Sequence, residues 1–376
     1  MITENKYYSY NINQLPKGCQ YCVRGEKLVI FITGICPRKC CFCPLSDDKY
    51  QKDVTFANER KVNDFNDVIK EAELMNAKGA GITGGDPLAK LDRTADYIKK
   101  LKEKFNDNFH IHLYTSLDLV NKESLQQLFD AGLDEIRFHP DLDDKKFWKN
   151  ISLAKQFDWD VGVEIPLIPN KEKETKRLID FVKDKIDFLN LNELEVSDNE
   201  HSNLLKQGFE VKDEFSYAVK GSLELGLKLM NNIKDLNVHL CTAKLKDKVQ
   251  LSNRIKREAK HSKHSFDIVD KEGLLTRGAL YLPELVPGVG YREKLKTVDK
   301  KELIEKLNPF YDKVKKKFKL NDSDIYLDQD KCRILIAKKL SKKKKAYFLN
   351  LKLIPAVVTE YPTADQLEIE VELFKK

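Results

Sequence analysis

The sequence has few cysteines for its length and no long apolar run. Eight cysteines in 376 residues are too few for a disulfide scaffold, and clustered thiols in a reducing compartment are typical of metal sites or catalysis. No segment reaches about 18 consecutive apolar residues, and residues 1–10 lack the basic start and apolar run of a signal peptide. We therefore expect a cytoplasmic protein with no membrane association.

Charge is spread unevenly along the chain, whose formal net charge is +7. Residues 294–345 hold 18 Lys and Arg against 8 Asp and Glu. A basic surplus of this kind can bind RNA phosphates. Lysine outnumbers arginine here, however, and few aromatic residues are interleaved, so we favour a solvated surface over RNA binding.

Apolar runs alternate with amphipathic segments over the first two thirds of the chain. KLVIFITG, at 27–34, is a continuous β-branched and aromatic run, which is typical of a strand buried on both faces. Six further strand patterns follow amphipathic segments that predict helices, among them KKFWKNISLAKQF at 145–157. Strands alternating with helices form right-handed crossovers and a parallel sheet. The pattern predicts an α/β protein built on a full or partial (βα) barrel of six or seven units.

The sequence changes character after about residue 245. It becomes polar and basic, then rich in Gly and Pro, and closes with the apolar segments DIYLDQDKCRILIAKKL, KAYFLNLKLI and QLEIEVELF. These segments predict antiparallel strands, with SKKKK as a turn between two of them. We predict an N-terminal segment at 1–26, a barrel at 27–245 and a smaller basic α+β domain at 246–376.

The cysteines of GICPRKCCFCPLS allow a zinc interpretation. Cys19 and Cys22, followed by Cys40 and Cys43, have the spacing of a four-cysteine zinc ribbon. Together with the basic C-terminal region, such a ribbon would make a nucleic-acid-binding module without catalysis. This interpretation leaves Cys36 without a role.

An iron–sulfur interpretation uses Cys36, Cys40 and Cys43 instead, as a C-x3-C-x2-C motif. Three thiolates on one loop can hold three irons of a 4Fe-4S cluster and leave the fourth iron open. An open iron is a place where a substrate or a second cofactor can bind. We favour this alternative because the motif directly follows the first strand of the βα series.

The C-x3-C-x2-C motif, with the aromatic Phe42 before its third cysteine, resembles that of the radical S-adenosylmethionine (radical SAM) superfamily. In that superfamily the open iron binds SAM, and a Gly-Gly-Glu-Pro-like segment at the end of the second strand binds the SAM amino group. The segment GAGITGGDPL supplies Gly84, Gly85, Asp86 and Pro87 at the equivalent place. Asp stands here where Glu is commoner.

The resemblance implies a partial (βα)6 TIM-like radical SAM barrel with the smaller α+β domain after it. It also implies that one electron, from a donor such as a ferredoxin or a flavodoxin, cleaves SAM to a 5′-deoxyadenosyl radical. That radical would abstract hydrogen from an unidentified substrate, for which a macromolecule such as RNA or protein is one class. Ser116 and Glu164, near the carboxyl ends of middle strands, are the residues that we expect to contact SAM.

The remaining cysteines leave two alternatives open. Cys19 and Cys22 precede the first barrel strand, and Cys241 ends the last one. These three could form a second metal or iron–sulfur site, or they could be inert thiols. Cys41 and Cys332 receive no predicted function. Along its whole length the chain resembles an archaeal branch of radical SAM proteins, loosely described as similar to pyruvate formate-lyase activating enzymes, with no assigned substrate.

Overall fold

The computed structural model describes residues 1–375, which form two compact units. The first unit is Met1–Arg254 and the second begins at Ile255. Every residue that the sequence predicts for the site lies in the first unit. Its sheet therefore decides where those residues meet.

An eleven-stranded sheet is the frame of the first unit. The strands are β1 (Thr3–Glu4), β2 (Tyr10–Ile12), β3 (Lys27–Phe31), β4 (Phe56–Ala57), β5 (Arg60–Lys61), β6 (Gly79–Thr83), β7 (His110–Thr115), β8 (Glu135–Phe138), β9 (Asp160–Leu167), β10 (Phe188–Glu193) and β11 (Asn237–Cys241). β3 and β6 to β11 are parallel. The sheet is open, because β3 and β11 pair on their outer sides with the antiparallel strands β4 and β2. This confirms the predicted partial TIM-like barrel, with one parallel strand beyond six.

Helices lie before, between and after the parallel strands. They are α1 (Lys17–Val23), α2 (Phe65–Leu74), α3 (Leu91–Phe105), α4 (Lys122–Asp130), α5 (Glu172–Val182), α6 (Ser222–Met230) and α7 (Ala243–Leu245); α8 (Ser252–Ser262) follows. In α3 the buried residues Thr94, Ala95, Ile98 and Leu101 recur at helical spacing on one face. Burial of each such Ile or Leu contributes about 1.5–3 kcal/mol to packing the helix on the sheet.

One predicted α-helix has a different conformation. Residues Trp148–Gln156 form a 3-10 helix between β8 and β9. Asn150 and Ser152 disfavour an α-helix because their side chains compete for backbone hydrogen bonds. The amide of Asn150 donates to the Val120 carbonyl at 3.0 Å, which ties this segment to its neighbour.

The N-terminal residues are part of the first unit. β2 extends the sheet by pairing with β11, and α1 packs against the parallel strands near their amino ends. The Gly18 amide donates to the Glu135 carboxylate at 2.9 Å. A Cβ at Gly18 would lie 2.5 Å from the Arg137 guanidinium, so only glycine lets α1 approach this closely.

The second unit contains a six-stranded antiparallel sheet and four helices besides the end of α8. The strands are β12 (Ile268–Val269), β13 (Leu275–Tyr281), β14 (Ile325–Asp328), β15 (Arg333–Ile336), β16 (Ile354–Glu360) and β17 (Glu368–Leu373). The helices are α9 (Tyr291–Thr297), α10 (Lys300–Phe318), α11 (Lys338–Lys343) and α12 (Lys345–Asn350). The turn predicted at SKKKK and the strand predicted at KAYFLN were wrong. Lysine, alanine and leucine favour helix where no Gly or Pro intervenes.

Candidate active site

The predicted cluster ligands lie on the loop between β3 and β4. Cys36, Cys40 and Cys43 are all half-buried. The Cys43 amide donates to the Cys40 carbonyl at 3.1 Å, and the Gln51 side chain donates to the Cys36 carbonyl at 2.9 Å. The Asn199 side chain donates to the Cys43 carbonyl at 3.0 Å. The backbone is therefore held at each ligand position, and the Cys36 sulfur accepts a hydrogen bond from the Arg38 amide at 3.4 Å.

The spacing of the thiols does not match a single zinc ion shared by three of them. Thiolates that share one tetrahedral zinc, with Zn–S bonds of about 2.3 Å, lie about 3.8 Å apart. Each cysteine of a 4Fe-4S cluster binds its own iron instead. Among residues 1–375, no three cysteine sulfurs lie within 4.8 Å of one another. The three thiols of this loop are thus not arranged around one tetrahedral ion.

Burial governs the ionisation of these thiols. It raises the pKa of Cys36 to about 11, and it also raises the pKa values of Cys40 and Cys43. A metal ion reverses this effect, because a thiol that coordinates a metal is deprotonated. The loop therefore suits bound iron better than free thiolates.

Arg38 fastens the cysteine loop to the end of β8. Its guanidinium donates to the His139 carbonyl at 2.6 Å and to the Asp141 carboxylate at 2.9 Å. The Phe42 ring lies beside the His139 ring, with centroids 5.8 Å apart. The sequence analysis did not single out Arg38. Its position between Cys36 and Cys40, two predicted cluster ligands, could have identified it as a site residue.

Cys41 has a packing role. Its side chain is half-buried and packs against the hydrophobic core of the first unit, and its carbonyl accepts a hydrogen bond from the Asn203 amide at 2.8 Å. A free cysteine in such a place behaves as a small hydrophobic residue. This accounts for a fourth cysteine that fits no ligand spacing.

Gly84 and Gly85 let the end of β6 approach the start of the cysteine loop. The Gly85 amide donates to the Thr33 carbonyl at 2.7 Å, and the Asp86 amide donates to the Ile35 carbonyl at 2.9 Å. A Cβ at Gly84 would lie 2.5 Å from the Thr33 oxygen, and one at Gly85 would lie 2.6 Å from the Ile35 oxygen. Any larger residue would push the loop away.

A cavity of about 640 Å³ lies at the carboxyl ends of the parallel strands. The predicted site residues that line it are Cys36, Cys40, Phe42, Gly84, Gly85, Ser116 and Glu164. Lining residues that the sequence analysis missed include Arg38, Tyr114, Tyr217 and Lys246. Tyr114, in β7, lies two residues before Ser116, which directly follows the strand. Side chains two residues apart in a strand share a face, and this spacing could have identified Tyr114. Tyr217 and Lys246 lie outside the strands, where no periodicity marks them.

Asp86 and Pro87 are buried behind the cavity wall and are not among its lining residues. Asp86 Oδ1 accepts hydrogen bonds from the Thr115 hydroxyl at 2.7 Å and the Leu88 amide at 3.0 Å. Its Oδ2 accepts from the Ser116 hydroxyl at 2.6 Å and the Ser116 amide at 3.1 Å. Four donors occupy the carboxylate, and its direct contact with SAM stays a prediction.

Glu164 lines the cavity from the middle of β9. Its Oε2 accepts from Arg137 and Asn190, each at 2.8 Å, and its Oε1 accepts from Asn192 at 2.9 Å. Burial tends to raise the pKa of Glu164, but Arg137 and the two amides outweigh burial and hold the pKa below its usual value. Since a carboxylate has about four acceptor positions, Glu164 keeps one for a ligand.

The Cys19 sulfur is hydrogen-bonded to buried side chains of the barrel. The Cys19 sulfur accepts from Arg137 at 3.5 Å and from Asn190 at 3.4 Å, and burial raises its pKa to about 12. Burial also raises the pKa values of Cys22 and Cys241. Within the described part of the chain these three sulfurs do not meet within 4.8 Å. A second metal site at these cysteines stays a prediction.

None of the helices within residues 1–375 has the combination of length and apolar composition that crossing a membrane requires.

The chain matches known proteins along most of its length. A model of the radical SAM superfamily matches residues 30–156, which include the cysteine loop and the glycine pair. The chain is 38% identical over 375 residues to a protein of Methanocaldococcus jannaschii, with 97% of this chain and 94% of that protein covered. The name of that protein describes it provisionally as a glycyl-radical enzyme activating enzyme.

Solved structures of lower similarity also match. Methylornithine synthase (PylB) is 15% identical, with 58% of this chain and 70% of that chain covered and a TM-score of 0.37. HydG, a maturase of the [FeFe]-hydrogenase, is 10% identical, with 66% and 69% covered and a TM-score of 0.38. The family assignment rests instead on the identity to the Methanocaldococcus protein, which extends over nearly the whole of both chains. The protein belongs to the radical SAM superfamily, and it is an enzyme of that family with a 4Fe-4S cluster and SAM as cofactors.

Proposed function

We propose that Cys36, Cys40 and Cys43 hold the 4Fe-4S cluster and that the enzyme generates a glycyl radical in a protein substrate. The observation that carries this proposal is the common cavity lined by Cys36, Cys40, Gly84, Gly85, Ser116 and Glu164. When bound and reduced by one electron, the cluster supplies the electron that splits SAM into methionine and a 5′-deoxyadenosyl radical. The provisional name of the Methanocaldococcus relative supports a glycyl-radical enzyme as the substrate.

The chain's own residues bind and orient SAM beside the cysteine loop. Gly84 and Gly85 expose backbone to the cavity without a side chain in the way. Ser116 offers a hydroxyl oxygen, and Glu164 offers a charged carboxylate with one acceptor position left. A carboxylate and hydroxyl suit the ammonium and ribose hydroxyl groups of SAM. Arg38 keeps the loop fixed while SAM enters.

The rim of the cavity supports a macromolecular substrate. Tyr217 lines the cavity and is 64% exposed, and Phe215, two residues earlier, is 91% exposed. Exposed aromatic residues beside a binding site are typical of surfaces that contact another protein. A peptide segment of the substrate could pack on them and place a glycine Cα over the cavity.

Isotope transfer tests the proposal. The organism that makes the protein is grown with glycine carrying two deuterium atoms on Cα, and its extract is divided at 10 kDa. The reconstituted enzyme, SAM and dithionite are added to each fraction without oxygen. We expect mass spectrometry to find deuterium in 5′-deoxyadenosine only with the large fraction. Transfer from the small fraction, or from neither, would contradict a glycyl-radical product, and labelled alanine is the control.

The alternative of a zinc-ribbon module that binds nucleic acid is not favoured. It has no support from the family match, and several lysines of the basic region are already paired with carboxylates. Lys306 lies 2.7 Å from Glu302 and Lys296 lies 2.9 Å from Glu293. This pairing is expected of a solvated surface and lowers the charge available to RNA phosphates.

A further inference from the structure

Three potential metal ligands meet at the amino ends of neighbouring barrel strands, at the opposite end from the cysteine loop. His110 begins β7, Glu135 begins β8 and Asp160 begins β9. One ligand atom from each lies within 4.8 Å of the other two. None of the three takes part in the chemistry proposed at the carboxyl ends of the strands.

His110 Nε2 lacks a hydrogen-bond partner although the residue is only 2% exposed. It lies 3.5 Å from Glu135 Oε2. Two ligand atoms that share a tetrahedral ion, with bonds of about 2.0–2.1 Å, lie about 3.3 Å apart. The observed separation is close to that value, so a metal ion would give this buried nitrogen the partner that it lacks.

Neighbouring groups hold the first two ligands in place. The Lys27 side-chain nitrogen lies 2.6 Å from His110 Nδ1 and 3.2 Å from the Ala80 carbonyl, which fixes the imidazole with Nε2 towards Glu135. A metal ion on Nε2 requires Nδ1–H to donate to Lys27, so metal binding releases one proton from the Lys27 ammonium group. The Gly18 amide donates to Glu135 Oε2, while Arg137 bonds Glu135 Oε1. Groups that orient ligands in this way are a regular part of metal sites.

A cavity of about 410 Å³ gives access to His110 and Asp160 from solvent, whereas Glu135 is buried behind its wall. Four aspartates and one lysine line it beside His110: Asp134, Asp158, Asp160, Asp187 and Lys17. Lys102 neutralises Asp134 and Lys155 neutralises Asp187. Within residues 1–375, Asp160 has no such partner. With Lys27 and Arg137 also beside the ligands, five cationic and five carboxylate side chains balance here, so the attraction for a cation rests on the Asp160 carboxylate, which no ion pair among the described residues holds.

We propose that His110, Glu135 and Asp160 bind one divalent transition-metal ion, for which zinc is the reference, with water from the cavity as a further ligand. One imidazole nitrogen and two carboxylates suit zinc, which forms three-ligand sites with an open position. The ion would join the amino ends of three adjacent strands. In parallel barrels this face serves stability, so the expected role is structural.

Zinc titration of the holoenzyme tests the site. Calorimetry of the cluster-loaded protein should show one zinc per chain, bound at least tenfold more weakly by Asp160→Asn. Asp158→Asn is the matched control, because Asp158 is an exposed aspartate of the same cavity, and we expect its affinity within twofold of wild type. Equal iron content and circular dichroism in the variants would show that both are folded.

X-ray absorption at the zinc edge separates this site from the cysteines. We expect only nitrogen and oxygen ligands at about 2.0–2.1 Å, whereas a cysteine site would show sulfur at about 2.3 Å. Sulfur in the zinc shell, no binding by wild type, or unchanged affinity in Asp160→Asn would each overturn the proposal.

Discussion

The Asp86 carboxylate accepts a hydrogen bond from the Ser116 hydroxyl at 2.6 Å, and this contact joins the ends of β6 and β7. Asp86 is fully buried, whereas Ser116 lines the cavity. The carboxylate therefore positions a residue of the cavity wall from behind. Its shorter side chain, compared with Glu, suits that place because both oxygens lie within reach of two donors each.

Asp86→Asn should weaken SAM binding by changing the position of Ser116. The NH2 group of the new Asn side chain would face hydrogen-bond donors that now bind the Asp86 carboxylate. Buried donors would therefore lose their acceptor, at a cost of about 1–3 kcal/mol in the free energy of unfolding. Equilibrium dialysis of SAM with Asp86→Asn, Ser116→Ala and the double variant checks this prediction. Non-additive losses are expected, and fully additive losses would show that Asp86 does not act through Ser116.

Gly85→Ala should reduce cluster incorporation. The new Cβ would lie 2.6 Å from the Gly34 and Ile35 oxygens, so the start of the cysteine loop must shift. Iron per chain after anaerobic reconstitution is expected to fall at least several-fold. Gly288→Ala is the control, since no atom lies within 4 Å of a Cβ there. Normal iron content in Gly85→Ala would contradict the close-packing role of this glycine.

Glu164→Gln should destabilise the barrel by about 3 kcal/mol, because removing one partner of a buried ion pair leaves Arg137 less compensated. Glu135 still pairs with Arg137 in this variant. We therefore expect a loss in the free energy of unfolding at the low end of the range for broken buried ion pairs. Glu195→Gln removes a more exposed pair with Lys246 and should cost less than about 1 kcal/mol. Urea unfolding measures the free energy of unfolding of each variant. Equal losses in the two variants would contradict the difference expected between the buried and the more exposed ion pair.

Asp53 should make stability depend on pH. Its hydrogen bond with Arg93, 2.7 Å long, holds the pKa of Asp53 well below its usual range. The stabilisation is therefore complete above the unfolded pKa of about 3.9, and it is lost as the pH falls towards the folded pKa.

The pair is about one third exposed, so Asp53→Asn should cost about 0.5–1 kcal/mol at pH 6.5. Urea unfolding followed by circular dichroism should show a smaller difference from wild type at pH 3. Asp158→Asn, an exposed aspartate, serves as control. A difference that is the same at both values of pH would rule out the ion pair as its cause.

Local patterns predicted most of the parallel sheet. The continuous apolar run of β3 is buried on both faces except at Val29, and amphipathic segments such as α3 carry a regular buried stripe. The second unit was harder, because KAYFLN in α12 has the apolar content of a strand. Its Lys, Ala and Leu residues are a local helix signal, which this apolar content obscured, and Phe348 is the buried residue of the helix.

The site was predictable where chemistry needs fixed spacing. Cys36, Cys40 and the glycine pair line the cavity as adjacent motifs. The contacts of Asp86 could not be predicted, because sequence spacing does not show which way a side chain points. The Asp86 carboxylate contacts Thr115 and Ser116 at the end of another strand. His110, Glu135 and Asp160 are 25 residues apart in turn along the chain. Only the parallel register of three strands brings them together.

The yield of 5′-deoxyadenosine from cysteine variants tests the central claim most directly. Wild type, Cys40→Ala and Cys41→Ala are reconstituted without oxygen and incubated with SAM and dithionite, and the product is measured by chromatography. The two variants differ by one position, and Cys41 packs against the core. We predict product from wild type and Cys41→Ala and none from Cys40→Ala. Product from Cys40→Ala at the wild-type level would contradict the assignment of the cluster to this loop.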